Sequence, residues 1–84
     1  AAFEPPFRAP PTVQEGGTLE IDVGSGTKEL SVFIPGHGLQ RHRARGGRVE
    51  LRIPPSVPGG TVIFISDEKY PNPHATSVLV VGNQ

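Results

Sequence analysis

The most concentrated chemical feature of the sequence is a run of arginines near its middle. Arg41, Arg43, Arg45 and Arg48 all fall between positions 41 and 48. If this segment is a β-strand, Arg41, Arg43 and Arg45 project from one face, because side chains alternate along a strand. Guanidinium groups grouped in this way bind sulfate, phosphate or carboxylate through paired hydrogen bonds. The run therefore predicts a site for an acidic glycan, another polyanion or an acidic protein.

A second interpretation of the same run is structural. Charged side chains on an edge strand keep sheets from pairing with one another, and natural sheets use them routinely for that purpose. Acidic residues that are able to neutralise the arginines within the domain occur at Glu20, Asp22, Glu29 and Glu50. Cross-strand ion pairs of this kind contribute only about 0.2–1 kcal/mol each. The sequence leaves both interpretations open.

The longest polar segment, from Asp67 to His74, is the second candidate site. It joins the two most apolar stretches of the chain, as a hairpin loop at one end of a β-sandwich does. Asp67, Tyr70 and Asn72 offer hydrogen-bonding groups and one aromatic face, and two nearby prolines restrict the loop. Loops in this position often bind ligands, so these three residues are predicted to contact one. The alternative is an ordinary turn in which Tyr70 packs on the rim of the core.

Metal binding and catalysis find little support in the residue pattern. His37, His42 and His74 are candidate metal ligands, but their spacing places no two of them together on one strand face. The absence of cysteine excludes disulfides, thiolate zinc sites and cysteine nucleophiles. The serines lack the strand–turn–helix context of a nucleophile elbow. We therefore expect no catalytic residue, no cofactor and no enzymatic activity.

Short segments in which apolar and polar residues alternate must position these side chains. The predicted strands are one that starts near Thr12 and the segments 18–23, 29–34, 39–44, 48–53, 61–66 and 77–81. Turn residues recur between them at the roughly 8–12-residue spacing that is typical of sandwiches and barrels. Residues 39–44 are mostly polar, which indicates an edge strand, and Gly46-Gly47 indicates a hairpin turn. The pattern predicts an all-β sandwich of about seven antiparallel strands.

The alternation also predicts the core. Residues 61–66 and 77–81 are apolar on both faces, so we expect them to be central strands that are covered on both sides. The expected core residues are Leu19, Ile21, Val23, Leu30, Val32, Ile34, Val49, Leu51, Ile53, Val62, Phe64, Val78 and Val80.

The 84-residue chain contains 11 glycines and 10 prolines, most of which lie between the apolar segments as turn residues. Residues 1–11 are the exception, because their prolines indicate an extended arm, with Phe3 and Phe7 docking on a domain formed by residues 12–84. The formal net charge of zero argues against bulk or sequence-specific binding of nucleic acid. No apolar run approaches the roughly 20 residues that span a bilayer. We expect a monomer or a weak edge-strand dimer whose protein or polysaccharide partner binds loops or an edge.

Four segments resemble bacterial immunoglobulin-like domains, in particular the IPT/TIG-like extracytoplasmic modules. They are residues 15–21, 49–54, 58–62 and 75–81, and the stretch Ile53-Pro54-Pro55 followed by Gly59-Gly60-Thr61-Val62 is similar to the turn between two late strands of that group. The cysteine pair and core tryptophan of antibody-type domains are absent, which excludes the antibody-type version. The resemblance implies an immunoglobulin-like sandwich that acts as a non-catalytic interaction module within a larger secreted or cell-envelope protein of bacteria.

Overall fold

The computed structural model describes residues 6–82, and this part of the chain is built from strands and turns. The strands are β1 (Phe7–Arg8), β2 (Thr12–Gln14), β3 (Thr18–Val23), β4 (Glu29–Ile34), β5 (Gly38–Arg43), β6 (Arg48–Arg52), β7 (Val62–Ser66) and β8 (Ala75–Val81). The all-β prediction is confirmed, and each of the seven predicted strands is present. Within residues 6–82, no helix is long and apolar enough to cross a membrane.

The strands form two sheets that pack face to face as a sandwich. The smaller sheet has the order β1-β3-β6, and the larger sheet has the order β2-β8-β7-β4-β5. Neighbouring strands are antiparallel, as predicted, except that the short β2 runs parallel to β8. The larger sheet is therefore mixed, with β7 at its centre and β5 at one edge.

A glycine hairpin carries the chain from the larger sheet to the smaller one. Gly46 and Gly47 have φ angles of 58° and 77°, which a two-residue hairpin turn requires and which glycine adopts without steric cost. The flanking residues Arg45 and Arg48 exchange backbone hydrogen bonds of 2.8 and 3.1 Å. The turn was predicted, but the strands on either side of it, β5 and β6, belong to different sheets.

The first strand lies within the proline-rich residues 1–11. Phe7 and Arg8 pair with Val23 and Asp22, and the Phe7 ring is buried in the core. Residues 1–5, which include Phe3, lie outside the described part of the chain.

The core fills the space between the two inner faces. Its buried side chains are Phe7, Val13, Leu19, Ile21, Leu30, Val32, Ile34, Val49, Leu51, Ile53, Val57, Ile63, Ile65, Val78 and Val80. Val23 is half-buried and packs against this cluster. Most of the predicted core is thus confirmed, and it holds without a disulfide.

The prediction was wrong for the inward side of β7. Ile63 and Ile65 are fully buried, whereas Val62 and Phe64 are 36% and 50% exposed. The expectation that β7 and β8 are covered on both sides is also wrong, because Leu79 of β8 is 41% exposed beside Val62. The residues of β7 are apolar at every position from Val62 to Ile65, so the alternation carried no signal for which set points inward.

We predict that neighbouring positions of β7 differ sharply in their effect on stability. Ile63→Ala, like Leu51→Ala, should lower the free energy of unfolding by about 2–5 kcal/mol, because each leaves a cavity in the core. Phe64→Ala should cost less than half as much, because its ring is half exposed in the folded state. Urea denaturation of the variants measures this difference, and equal losses at Ile63 and Phe64 would contradict the assigned orientation of β7.

Candidate interaction surface

The outer face of the larger sheet carries a contiguous group of exposed apolar side chains. We call this group the outer patch; it consists of Phe33, Leu39, Val62, Phe64 and Leu79, which are 36–57% exposed. A large apolar side chain covers about 200 Å², so the exposed fractions amount to roughly 450 Å². The largest apolar patches on ordinary monomers are of about 300–600 Å² and are often functional. The outer patch therefore falls within the usual size range for the largest apolar patch on a monomer.

The strand register makes the outer patch continuous. Leu39 of β5 pairs with Phe33 of β4, which in turn pairs with Phe64 of β7. The rings of Phe33 and Phe64 lie with their centroids 6.4 Å apart and tilted by 37°. Val62 follows Phe64 on the same face of β7 and pairs with Leu79 of β8. The first three residues thus form an apolar row across β5, β4 and β7. The pair Val62 and Leu79 extends the outer patch along β7 and β8.

Charged side chains border the outer patch on the side of β5. The guanidinium of Arg41 lies 3.2 Å from the Glu68 carboxylate and 3.8 Å from that of Glu29. Arg43 follows Arg41 on the same face, and it has no ion pair among residues 6–82. The surface therefore combines an apolar centre with a border that contains Arg43, a cation without an ion pair in the described part of the chain.

The structure divides the arginine run between two surfaces. Arg41 and Arg43 lie on the outer face of the larger sheet, and Arg45 precedes the hairpin turn. Arg48 lies on the smaller sheet, where its guanidinium is 3.6 Å from Glu20 and 3.5 Å from Asp22. The run does not form one cluster, because the chain changes sheets at the hairpin. Two of the four arginines are neutralised by acidic neighbours, as the structural interpretation of the run expects.

Backbone hydrogen bonds hold the loop between β7 and β8. The Asp67 carboxylate accepts hydrogen bonds from the backbone N–H groups of Lys69, at 3.2 Å, and of His74, at 2.9 Å. The N–H of Asp67 also donates to the carbonyl of His74 across the loop, at 3.1 Å. Asp67 therefore organises the loop from within. Tyr70 does not pack on the core rim but is 96% exposed, and Asn72 is exposed as well.

This loop lies at the same end of the sandwich as the turns that follow β3 and β5. The ammonium of Lys69 donates to the Gly26 carbonyl at 2.6 Å. A shallow depression of about 670 Å³ adjoins that turn, and Lys28, Glu29 and Arg43 contribute to its lining. The turn that contains His37 lies at the opposite end, because β4 runs from one end of the sheet to the other.

The three histidines do not meet. His37 lies within 3.3 Å of the Ser56 hydroxyl, and His74 packs edge-on against Phe7 with ring centroids 5.7 Å apart. His42 is half-buried on the inner side of β5, where its Nε2 atom is buried and has no hydrogen-bond partner within residues 6–82. Among residues 6–82, no group of three or more histidine, aspartate or glutamate side chains is placed to hold a metal ion.

The outer patch was not identified from the sequence. Two of its members, Val62 and Phe64, were assigned to the core, because both alternating sets of β7 are apolar. The available signal was an excess of large apolar residues, since a two-layer sandwich buries only one face of each sheet. A strand that is apolar on both faces therefore indicates either a third layer or an exposed surface.

We predict that Asp67→Ala loosens the loop between β7 and β8. The variant should lose about 1–2 kcal/mol of stability, because two backbone N–H groups lose their acceptor. Amide hydrogen exchange at Lys69 and His74 should accelerate, while Asp67→Asn, which keeps one acceptor oxygen, should lie nearer the wild type. Unchanged exchange at both amides in Asp67→Ala would show that the loop is held by other contacts.

Comparison with known proteins identifies no relative. No protein-family model, no curated protein and no solved structure matches this chain. The function is therefore inferred from the residues of the chain itself, and above all from the outer patch and its charged border.

Proposed function

We propose that this chain is a non-catalytic interaction module of a larger secreted or cell-envelope protein of bacteria. The observation that carries the proposal is the outer patch, in which five large apolar side chains share one exposed face. The partner is a protein whose apolar side chains cover the outer patch. Contacts at the border with Arg41 and Arg43 set its orientation.

The composition of this surface supports the proposal. Protein interfaces combine a buried apolar centre, enriched in aromatic residues, with a polar and solvent-accessible rim. Phe33 and Phe64 lie in the middle of the outer patch, and the ion pairs of Arg41 lie at its border. The roughly 450 Å² of apolar surface would form the centre of an interface that buries about 800 Å² per partner. The strands that carry it are rigidly packed, so little ordering entropy is lost on binding.

The order of the strands supports an immunoglobulin-like module. If the strands are lettered along the chain, β1, β3 and β6 correspond to A, B and E, and β4, β7 and β8 correspond to C, F and G. In immunoglobulin sandwiches the same two groups form the opposing sheets. Modules of this type commonly connect or present binding surfaces in extracellular proteins, which supports the proposed location.

We predict that a partner cross-links to one face of this module only. A photo-reactive residue at position 39 of the full-length parent protein should give a discrete protein adduct, because Leu39 lies on the outer patch. The same residue at position 52, on the outer face of the smaller sheet, is the matched control. Phe33→Ser combined with Phe64→Ser should abolish the adduct without unfolding the domain, because both residues lie outside the buried core and are 40% and 50% exposed. Equal labelling from both faces would overturn the proposal.

A second candidate function is the binding of an acidic glycan or another polyanion. It is favoured by Lys28 and Arg43, which line the depression at the loop end and have no ion pair among residues 6–82. Arg45 lies nearby at the start of the hairpin turn and is equally without an acidic partner in that part of the chain. This site is smaller than the one that the arginine run predicted, since Arg48 lies on the other sheet.

The two functions differ in their dependence on arginine. For the polyanion function, heparin–agarose should retain the domain. The triple variant Arg41→Ala, Arg43→Ala, Arg45→Ala should elute at a clearly lower salt concentration, because each lost contact with a sulfate group weakens the electrostatic part of the binding. The double variant Arg48→Ala, Arg52→Ala, on the opposite sheet, should elute with the wild type. Elution of the wild type in the void volume would dismiss this function.

A further inference from the structure

We propose that the open edge of β5 accepts an additional strand from the partner, an extended segment with acidic side chains opposite Arg41 and Arg43 and an apolar one opposite Leu39. This inference rests on the proposed function, since the added strand would lie beside the outer patch and extend it. It specifies the partner as a protein segment that pairs with the sheet.

The backbone of β5 has hydrogen-bonding groups at this edge that pair with no strand among residues 6–82. The N–H of Ala44 donates to the carbonyl of Lys28 at 2.8 Å, so these two residues form a hydrogen-bonded pair of the β4–β5 ladder. Hydrogen-bonded and non-hydrogen-bonded pairs alternate along an antiparallel ladder. Gln40 and His42 therefore face β4 with their backbone groups. The backbone groups of Leu39, Arg41 and Arg43 point away from β4, toward the open edge.

The same three residues place their side chains on the outer face. Leu39 continues the row formed by Phe33 and Phe64, so an apolar residue opposite it would lengthen that row by one strand. Arg43 has no ion pair among residues 6–82, and an acidic residue opposite it would supply one. An added strand in a single register could therefore pair with the backbone of β5, contact Leu39 and neutralise Arg43.

The charges also argue against a second copy of this chain as the occupant. In a symmetric antiparallel pair of β5 strands centred on position 41, Arg41 would lie opposite Arg41 of the other copy. Arg43 of each copy would lie opposite Leu39, so its charge would again lack a partner. Like charges that face each other across strands are destabilising. This register therefore leaves Arg43 without an acidic partner, whereas an acidic strand would supply one, and such a difference in charge pairing is a source of specificity.

The length of β5 limits the segment that it binds. The strand has six residues, which corresponds to about 20 Å of extended chain. A peptide of seven residues covers this length, and antiparallel addition is the more stable direction. A suitable probe is the synthetic peptide Thr-Glu-Thr-Glu-Thr-Val-Thr, whose outward positions match Arg43, Arg41 and Leu39 in that order. The control peptide carries lysine at both glutamate positions.

Amide hydrogen exchange of the folded domain tests the geometry residue by residue. With the acidic peptide at millimolar concentration, exchange at Leu39, Arg41 and Arg43 should slow by about tenfold or more, because these N–H groups gain acceptors. Exchange at Gln40 and His42 should change little, because their N–H groups already bond to β4. Protection without this alternation, or no protection at all, would overturn the proposal.

Charge reversal tests the chemistry of the partner. Arg43→Glu should weaken binding of the acidic peptide by about tenfold and improve binding of the lysine peptide, since an opposite-charge pair becomes a like-charge pair. Arg52→Glu makes the same change on the smaller sheet and should leave both affinities unaltered. Equal binding of the two peptides to the wild type, or displacement of the acidic peptide by a heparin oligosaccharide that protects no β5 amide, would contradict strand addition.

The outcome is separable from that of the proposed function. If position 39 gives a protein adduct that depends on Phe33 and Phe64 while the peptide fails to protect β5, the strand-addition proposal is wrong and the proposed function stands. If neither the adduct nor the protection is found, both are wrong.

Discussion

The pairing of Ile63 with Val78 determines which face of the larger sheet is buried in the core. Both residues are fully buried, and they hold the two most apolar strands in a register that sends Ile65 and Val80 inward as well. Because side chains alternate with a period of two, a shift by one residue would reverse the two faces of β7. The same register therefore also determines which side chains of β7 and β8 point outward, including the exposed apolar ones.

The remaining contacts place charged groups around this face. Arg41 connects the edge strand to the loop between β7 and β8 through Glu68, and Lys69 of that loop reaches the turn after β3. The loop end and the outer face are therefore parts of one continuous surface. On the opposite sheet, Arg48 with Glu20 and Asp22 forms an ordinary exposed ion-pair group, which contributes little to stability because water screens it.

The strands were largely predictable because the signals that define them are local. Residues 18–23 alternate between apolar and polar side chains, and residues 29–34 carry apolar side chains at every second position from 30 to 34. Glycine or proline ends each segment, so their bounds coincide with β3 and β4. Two features depended on distant partners and were not predictable. The inward side of β7 is set by pairing with β8, and the separation of Arg48 from Arg41 is set by a change of sheet at the hairpin, which no local pattern encodes. The candidate surface combines both features, which explains why it emerged only from the structure.

The two outer faces differ in character, and this difference bears on how many partners the proposed binding surface would hold. The smaller sheet presents only polar or charged residues along β3 and β6, from Thr18 to Asp22 and from Arg48 to Arg52. If the outer patch is the binding surface, as we propose, the described residues offer one apolar face, which would hold one partner at a time. Under that proposal, stronger binding would come from linking several such domains, because linked weak contacts raise the effective concentration for the next contact.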